Sequence, residues 1–551
     1  MKRRATLLRW QCAIAMIVFA APAFLHAQTK MQKGRTVVVI SLDGFPAYAL
    51  DDPRLPIPTL RKLAREGAIA ASMRPVNPTV TWPNHTAMVT GVDASEHQVL
   101  FNGLLTRPNG GGRPSIEPWR DKELMVHAPT IYDIAHQAGL TTAQVDWVAI
   151  YRAKTITWQF PELPDPKGLI EREMIAAGTV TAEQLRTFED SSQAWQDQIW
   201  TDAAAEILEK HRPNLLLFHL LTLDDTNHEY GPMSAASFTA MASLDSRVKQ
   251  ILDVLERTGL SRNATLIIVS DHGFRTVKHR IHPNVLLREK GLLSEGPSQS
   301  KADAWVLSEG GTAVVYVTNP NRKVELVAEL RRILTGAEGV DRVYGVEDFP
   351  KLGLPVPALS DQAPDLVLAA TPDYMFSNES EGDFVTQVAV GGTHGYLNTD
   401  PKMQAIFIAW GAGIPRGIHL NHISNLDVAP TIAALLGLKM NQVGGHAIQQ
   451  IVKHELVNDS RKLQQVKKRW RWRIESRYCR AMVVNTARQR NQLGPPACSR
   501  PVTEERPGLE CAHAVLRSAR NQGYPANISD MHGLLPLDWG CIRETIVVNA
   551  L

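Results

Sequence analysis

The chain has 551 residues, 44% of them hydrophobic and 21% charged, an ordinary balance for a globular enzyme that excludes wholesale disorder. Its net charge of +3 is too close to zero to point to a nucleic-acid partner. The average hides a split: from Val457 onward there are 16 Lys and Arg against 8 Asp and Glu, so the rest of the chain carries −5.

In chain order, Lys2, Arg3 and Arg4 precede an apolar stretch from Cys12 to Leu25, and Ala27 offers a small residue at a cleavage point. Residues 1–27 therefore read as a signal peptide, too short for a membrane span. No later segment reaches about 18 uninterrupted apolar residues, so no transmembrane anchor is expected. Export to a periplasm or to the outside follows. Nothing in the sequence sets an oligomeric state.

Apolar runs that stop at polar residues come next. Arg35–Leu42 ends at Asp43, Asn214–Thr222 ends near Asp224, Ala264–Ser270 ends at Asp271, and Gln404–Trp410 ends at glycines. Such runs suit strands buried on both faces. Helical patterns at Pro58–Glu66, Trp195–Lys210 and Ala236–Thr258 alternate with them. The expected fold is α/β, a doubly wound, mostly parallel sheet with ligands at the carboxyl ends of its strands. Residues 275–390 interrupt this rhythm with a strand-like run (Thr312–Thr318), a helix (Arg322–Thr335) and another strand (Asp365–Ala370). They read as a smaller α/β insertion within a catalytic domain spanning 28–456. A helix at Ala429–Leu436 closes that domain.

The last segment, 457–551, has a different character. Its dense basic run Lys467–Arg473 is of the kind that attracts phosphates, but no sustained period follows it. It reads as a poorly ordered basic extension, without a specific nucleic-acid partner. Cys479, Cys498, Cys511 and Cys541 all fall there, while residues 28–456 hold no cysteine, which excludes thiolate chemistry from the catalytic part.

Asp and His groups with metal-ligand character stand at the ends of the apolar runs. They are Asp43-Gly44, Asp224 with His228 four residues on, Asp271-His272-Gly273, and far downstream His394-Gly395. On a helix, positions i and i+4 share a face, so Asp224 and His228 can reach one ion. Oxygen and imidazole donors without sulfur suit catalytic zinc, although the same set also accepts manganese or iron. Between them lies Thr81-Trp82-Pro83-Asn84-His85. Pro83 belongs in a helix's first turn, which places Thr81 at the helix's amino-terminal edge, as nucleophile or as plain cap. His85 reads as shaping that turn.

Together these residues resemble the nucleotide pyrophosphatase/phosphodiesterase branch of the alkaline phosphatase superfamily. The likeness runs from about Thr36 to Gly445 with the motifs in the family's order. They are Asp43-Gly44, then Thr81-Trp82-Pro83-Asn84-His85, Asn102, Asp224 through His228 with Gly231-Pro232, Asp271-His272-Gly273, and His394-Gly395. The resemblance implies two zinc ions, one held by Asp224, His228 and His394, the other by Asp43, Asp271 and His272 with Thr81. It implies hydrolysis of phosphodiester or pyrophosphate bonds, nucleotide-type substrates favoured, through a covalent phospho-threonine at Thr81. Asn102 and a backbone N–H near Trp82 would take up charge on the phosphoryl oxygens. Trp82 follows the nucleophile, so its indole is expected to bind substrate by stacking, with Trp147, Tyr151, Trp158 or Phe160 as candidates for the opposite face. The rival readings are a phosphomonoesterase or phosphonate hydrolase of the same superfamily, and a catalytically silent binding protein on this fold. A monoesterase usually wants an extra cation at the phosphate, and none stands beside Thr81 or Asn102 in the sequence.

Overall fold

The apolar runs form the centre of an eight-stranded sheet. The computed structural model describes residues 34–108, 112–294 and 301–452. The expected signal peptide and the expected basic extension lie outside the described residues. The strands of the sheet are β1 (Thr36–Leu42), β2 (Ala68–Arg74), β3 (Thr142–Val145), β4 (Trp158–Phe160), β5 (Leu215–Leu220), β6 (Ala264–Val269), β7 (Phe407–Gly411) and β8 (Ile418–Ser424). Their order is β8-β2-β7-β6-β1-β5-β3-β4.

The alternation along each central strand explains why both faces are covered. Val38, Ile40 and Leu42 of β1 enter one apolar cluster, whereas Val37 and Val39 enter the other. The strands β5 and β6 divide their side chains in the same way. Onto the first face pack the helices Pro58–Glu66, α1 (Gln193–Lys210) and Ala235–Arg257; onto the second pack Thr81–Thr90, Ile131–Gln137 and Val428–Leu436. Each buried Val, Ile or Leu contributes about 1.5–3 kcal/mol, so the doubly covered strands are the firmest part of the molecule. The pairs β1–β5, β1–β6, β3–β5, β3–β4 and β2–β8 are parallel. Only β7, from the run at Gln404–Trp410, is antiparallel to its neighbours β6 and β2.

Within residues 275–390 the chain builds a second, four-stranded antiparallel sheet, ordered Ala304–Ser308, Thr312–Val317, Leu366–Ala370, Val340–Tyr344. The helix Lys323–Leu334 lays Leu326, Leu330 and Leu334 into the core of this sheet. A three-stranded ribbon stands where this part leaves and rejoins the main chain path. In it Arg275–Ile281 pairs antiparallel with Val385–Thr393, Thr393 standing opposite Arg275. Among the described residues no helix is long and apolar enough to cross a membrane.

Candidate active site

Three parallel neighbours, β6, β1 and β5, end at one edge of the sheet, and a candidate ligand follows each. Asp43 directly follows β1, and Asp271-His272 begins two residues beyond β6. After β5 the chain turns into the helix Thr222–Tyr230, which carries Asp224 and His228 one turn apart. His394 directly follows the ribbon strand that ends at Thr393, and its ring stacks on that of His272 with centroids 3.9 Å apart and planes 16° apart. The six side chains form two groups, Asp224–His228–His394 and Asp43–Asp271–His272, in each of which the ligand atoms lie within 4.8 Å of one another.

The donors are oriented as metal ligands require. Each histidine turns Nδ1 to a backbone carbonyl: His228 to Gly392 (3.2 Å), His272 to Gly273 (3.3 Å), His394 to Thr79 (3.0 Å). That fixes the tautomer and leaves Nε2 facing the carboxylates. His228 Nε2 is 3.4 Å from Asp224 Oδ2, and His272 Nε2 is 3.1 Å from Asp271 Oδ2 and 3.5 Å from Asp43 Oδ1. Asp43 Oδ2 and Asp271 Oδ1 are held by His219 and by the Gly44 N–H, whereas Asp43 Oδ1, Asp224 Oδ1, Asp271 Oδ2 and His272 Nε2 are buried without a hydrogen-bond partner. Buried polar atoms are normally paired, so this convergence of orphaned donors fits a cation. Gly44, at φ +65°, permits the approach, because a Cβ there would stand 2.6 Å from the Phe274 ring and 3.2 Å from Asp224 Oδ1.

The proton affinities say the same. Burial, then the charge of Asp224, lifts Asp43 to about 6, and burial with Asp43 nearby lifts Asp271 well above the carboxylate range. Burial also pushes His272 well below the ordinary imidazole value and His394 down to about 4, so both are neutral and free to ligate. Burial opposes charge on His228 too, but Asp224 outweighs it and raises the imidazole to about 9. A cavity that crowds three carboxylates this closely calls for positive charge.

Thr81 is the first residue of its helix, and the preceding Val80 offers no capping side chain. Its loop is held from below by the buried Asn84, which accepts from the Val76 N–H (2.7 Å) and donates to the Pro78 and Val80 carbonyls (both 2.9 Å). His85 is fully buried with Nδ1 on the Thr81 carbonyl (2.8 Å), a turn-shaping contact. Asn102 is exposed, and its Oδ1 accepts from the Trp82 N–H (3.0 Å). That N–H, expected to face phosphoryl oxygens, is therefore already engaged, and the Asn102 amide nitrogen is left as the donor.

Trp82 differs from the open stacking platform expected of it. It is 7% exposed, packed in an apolar cluster with Val99, Met125, Val126, Val148 and Ala149. Of the residues expected opposite it, Trp147 and Phe160 are buried and Trp158 stacks on His211 (4.9 Å); only Tyr151 reaches the surface, facing Trp119.

Sequence reasoning missed the supporting layer. His219 lies inside an apolar strand yet contacts Asp43 and Asp146, and Asp197 lies in the second turn of α1. Both Asp197 oxygens accept N–H groups from the start of the ligand helix, Oδ1 from Leu221 (3.0 Å) and Oδ2 from Thr222 (3.3 Å). That helix has no capping side chain of its own, so Asp197 caps it from a neighbouring element. Asp197→Ala strands two buried donors and is expected to cost about 2–4 kcal/mol of stability. Denaturant unfolding of the metal-free protein measures this, and an unchanged midpoint would refute the capping role.

Known proteins place this site in context. Residues 37–397 match the family model described as type I phosphodiesterase / nucleotide pyrophosphatase. The chain is 24% identical over 449 residues to rat ectonucleotide pyrophosphatase/phosphodiesterase family member 7, covering 79% of this chain and 90% of that one. It is 24% identical over 413 residues to human family member 1, covering 73% of this chain but 40% of that longer protein. Among solved structures, human ectonucleotide pyrophosphatase/phosphodiesterase 5 superposes with a TM-score of 0.59 at 20% identity, covering 76% of this chain and 99% of that one. An inactive threonine-to-alanine variant of the murine counterpart, in complex with AMP, gives 0.58 at 20% identity, covering 76% and 99%.

Proposed function

The chain belongs to the type I phosphodiesterase / nucleotide pyrophosphatase family, a family of metal-dependent hydrolases, and on that premise we propose that it is an exported enzyme that splits phosphodiester or pyrophosphate bonds through a covalent phospho-threonine at Thr81. The observation that carries this reading is the convergence of six Asp and His donors, four of their atoms buried and unpaired, at the strand ends beside the loop that holds Thr81.

Asp224, His228 and His394 would hold one zinc ion, and Asp43, Asp271 and His272 the other. Bound zinc supplies Lewis acidity there, making the threonine proton easier to lose and offsetting charge on the phosphoryl and leaving oxygens. The rest is the work of the chain. Thr81 Oγ1 attacks phosphorus in line, forming a P–O bond as the bond to the leaving oxygen breaks, and the threonine proton leaves on that oxygen. Water then cleaves the phospho-threonine, its hydroxyl bonding to phosphorus and its other proton passing to Thr81 Oγ1. Asn102, held by the Trp82 N–H on its carbonyl side, offers its amide hydrogens to a non-bridging oxygen.

Trp82 closes one side of the site, with its rim as the contact for the organic group of the substrate. Its burial sets the expected result: Trp82→Ala should cost about 3–5 kcal/mol of stability. It should also weaken nucleotide diesters about tenfold more than small aliphatic diesters, the lower end of what base stacking contributes. Parallel KM measurements decide it, and an equal change in both classes would make Trp82 a packing residue only.

Turnover of bis-p-nitrophenyl phosphate against p-nitrophenyl phosphate, each with and without chelator, tests the whole reading. The diester should be preferred and both activities should vanish on chelation. A preference for the monoester would favour a phosphomonoesterase, and absence of both activities a silent binding protein.

A further inference from the structure

One side chain stands between the ligand group and the loop behind the nucleophile. His219 belongs to β5, where the buried leucines and phenylalanine around it show what an ordinary core position holds. Both its ring nitrogens nevertheless face acceptors. Nε2 is hydrogen-bonded to Asp43 Oδ2 (2.9 Å), and Nδ1 to the Asp146 carbonyl (3.1 Å) with the Asp146 carboxylate 3.2 Å away. All three residues are fully buried. A polar ring in a strand core, with each nitrogen set against a buried polar group, is not what packing alone would place there.

Asp146 opens a loop at the end of β3 in which three non-glycine residues, Asp146, Ala149 and Arg152, take left-handed φ values of 53°, 53° and 54°. Such angles persist in residues with a Cβ only where surrounding contacts impose them. Here the contacts reach the site. The Trp147 ring meets the His85 ring edge-on at 4.8 Å, His85 holds the Thr81 carbonyl, and Val148 and Ala149 pack against Trp82.

We propose that His219 is a positioning residue that ties the Asp43 carboxylate to the Asp146–Arg152 loop, so that one side chain sets both the second metal-ligand group and the wall behind Thr81 and Trp82. The inference rests on the two-ion reading given above. Asp43 has one oxygen free for an ion and one held by His219; without that hold the carboxylate can rotate its free oxygen out of the cluster. The partner of a ligating carboxylate typically changes metal affinity or activity by about 10- to 100-fold.

Two conservative variants separate the two arms, because an asparagine amide nitrogen overlies Nδ1 and a glutamine amide nitrogen overlies Nε2. Full-length wild type, His219→Asn and His219→Gln are titrated with zinc against a chromophoric chelator, and their thermal unfolding is followed in parallel. His219→Asn keeps the Asp146 arm and should bind one of its two ions about 10- to 100-fold more weakly, the other unchanged. His219→Gln keeps the Asp43 arm and should restore the weakened ion to near the wild-type affinity, while the freed loop raises KM for nucleotide diesters more than it lowers kcat. Wild-type affinity for both ions in His219→Asn would overturn the proposal. So would equal loss of both ions in the two variants with a collapse in melting temperature, the signature of a core residue. Wild type that binds no zinc would instead overturn the two-ion reading, and this inference with it.

Discussion

Thr81→Ala is expected to lower diester turnover by at least about 10³-fold while the protein stays folded. The reasoning is local. Thr81 opens its helix without acting as its cap, and Asn84 and His85 shape the loop through backbone groups that alanine retains. Removal of the hydroxyl therefore takes away the attacking oxygen, with the one contact it would give the second ion, and leaves the six Asp and His ligands in place. Thr81→Ser should recover part of the activity, since a primary alcohol occupies the same place. Acid quenching during diester turnover should trap the substrate's phosphoryl group, still carrying its retained ester, on the wild-type peptide containing Thr81 and on none from the alanine variant. A folded Thr81→Ala enzyme with near-normal turnover would mean that water attacks phosphorus directly.

Metal removal should have the other large effect. The purified protein is expected to carry two zinc ions and to lose essentially all activity on exhaustive chelation, with recovery on adding zinc, or manganese or iron, since the same donors accept them. The site containing His228 should also show a definite pH sign. Asp224 raises His228 to about 9 without a metal, so near neutral pH the imidazole carries a proton that an ion must displace. Zinc uptake there should release protons, and its affinity should fall as the pH drops below about 9. Elemental analysis, with calorimetry in buffers of different ionisation enthalpy, measures both. Active enzyme with one metal or none, or uptake without proton release, would count against the paired site.

The sequence displays its chemistry where polar residues break apolar runs. Asp43 and Asp271 are legible because each ends an apolar run that suits a buried strand, with Gly44 and Gly273 close by to allow close approach, and Asp224 because it follows such a run by two residues. The pairing of Asp224 with His228 follows from helical spacing, and the structure supplies that helix at Thr222–Tyr230. His219 is illegible for the opposite reason. It sits inside the run that forms β5, and its partners Asp43 and Asp146 are 176 and 73 residues away in the chain. Asp197 hides in the same way in a helix, because capping a different helix leaves no mark on local periodicity. The direction of β7 is likewise unreadable, since a buried strand shows the same apolar run whichever way it points. Trp82 shows a further limit: adjacency to Thr81 is a fact of sequence, but whether an indole faces substrate or core depends on segments 99–104, 125–126 and 148–149.

The ribbon that brings His394 to His272 also fixes an order of assembly. Once the chain has been delivered as far as residue 272, every side chain of the Asp43–Asp271–His272 group is present. The other group waits for a further 122 residues, a span that includes the second sheet and its helix and ends where Thr393 pairs opposite Arg275. Closing so long a loop directly is slow, and prior folding of the second sheet would shorten it. On the two-ion reading, a chain delivered only as far as His272 would hold the Asp and His ligands of one ion alone, and the second set would be complete only with His394.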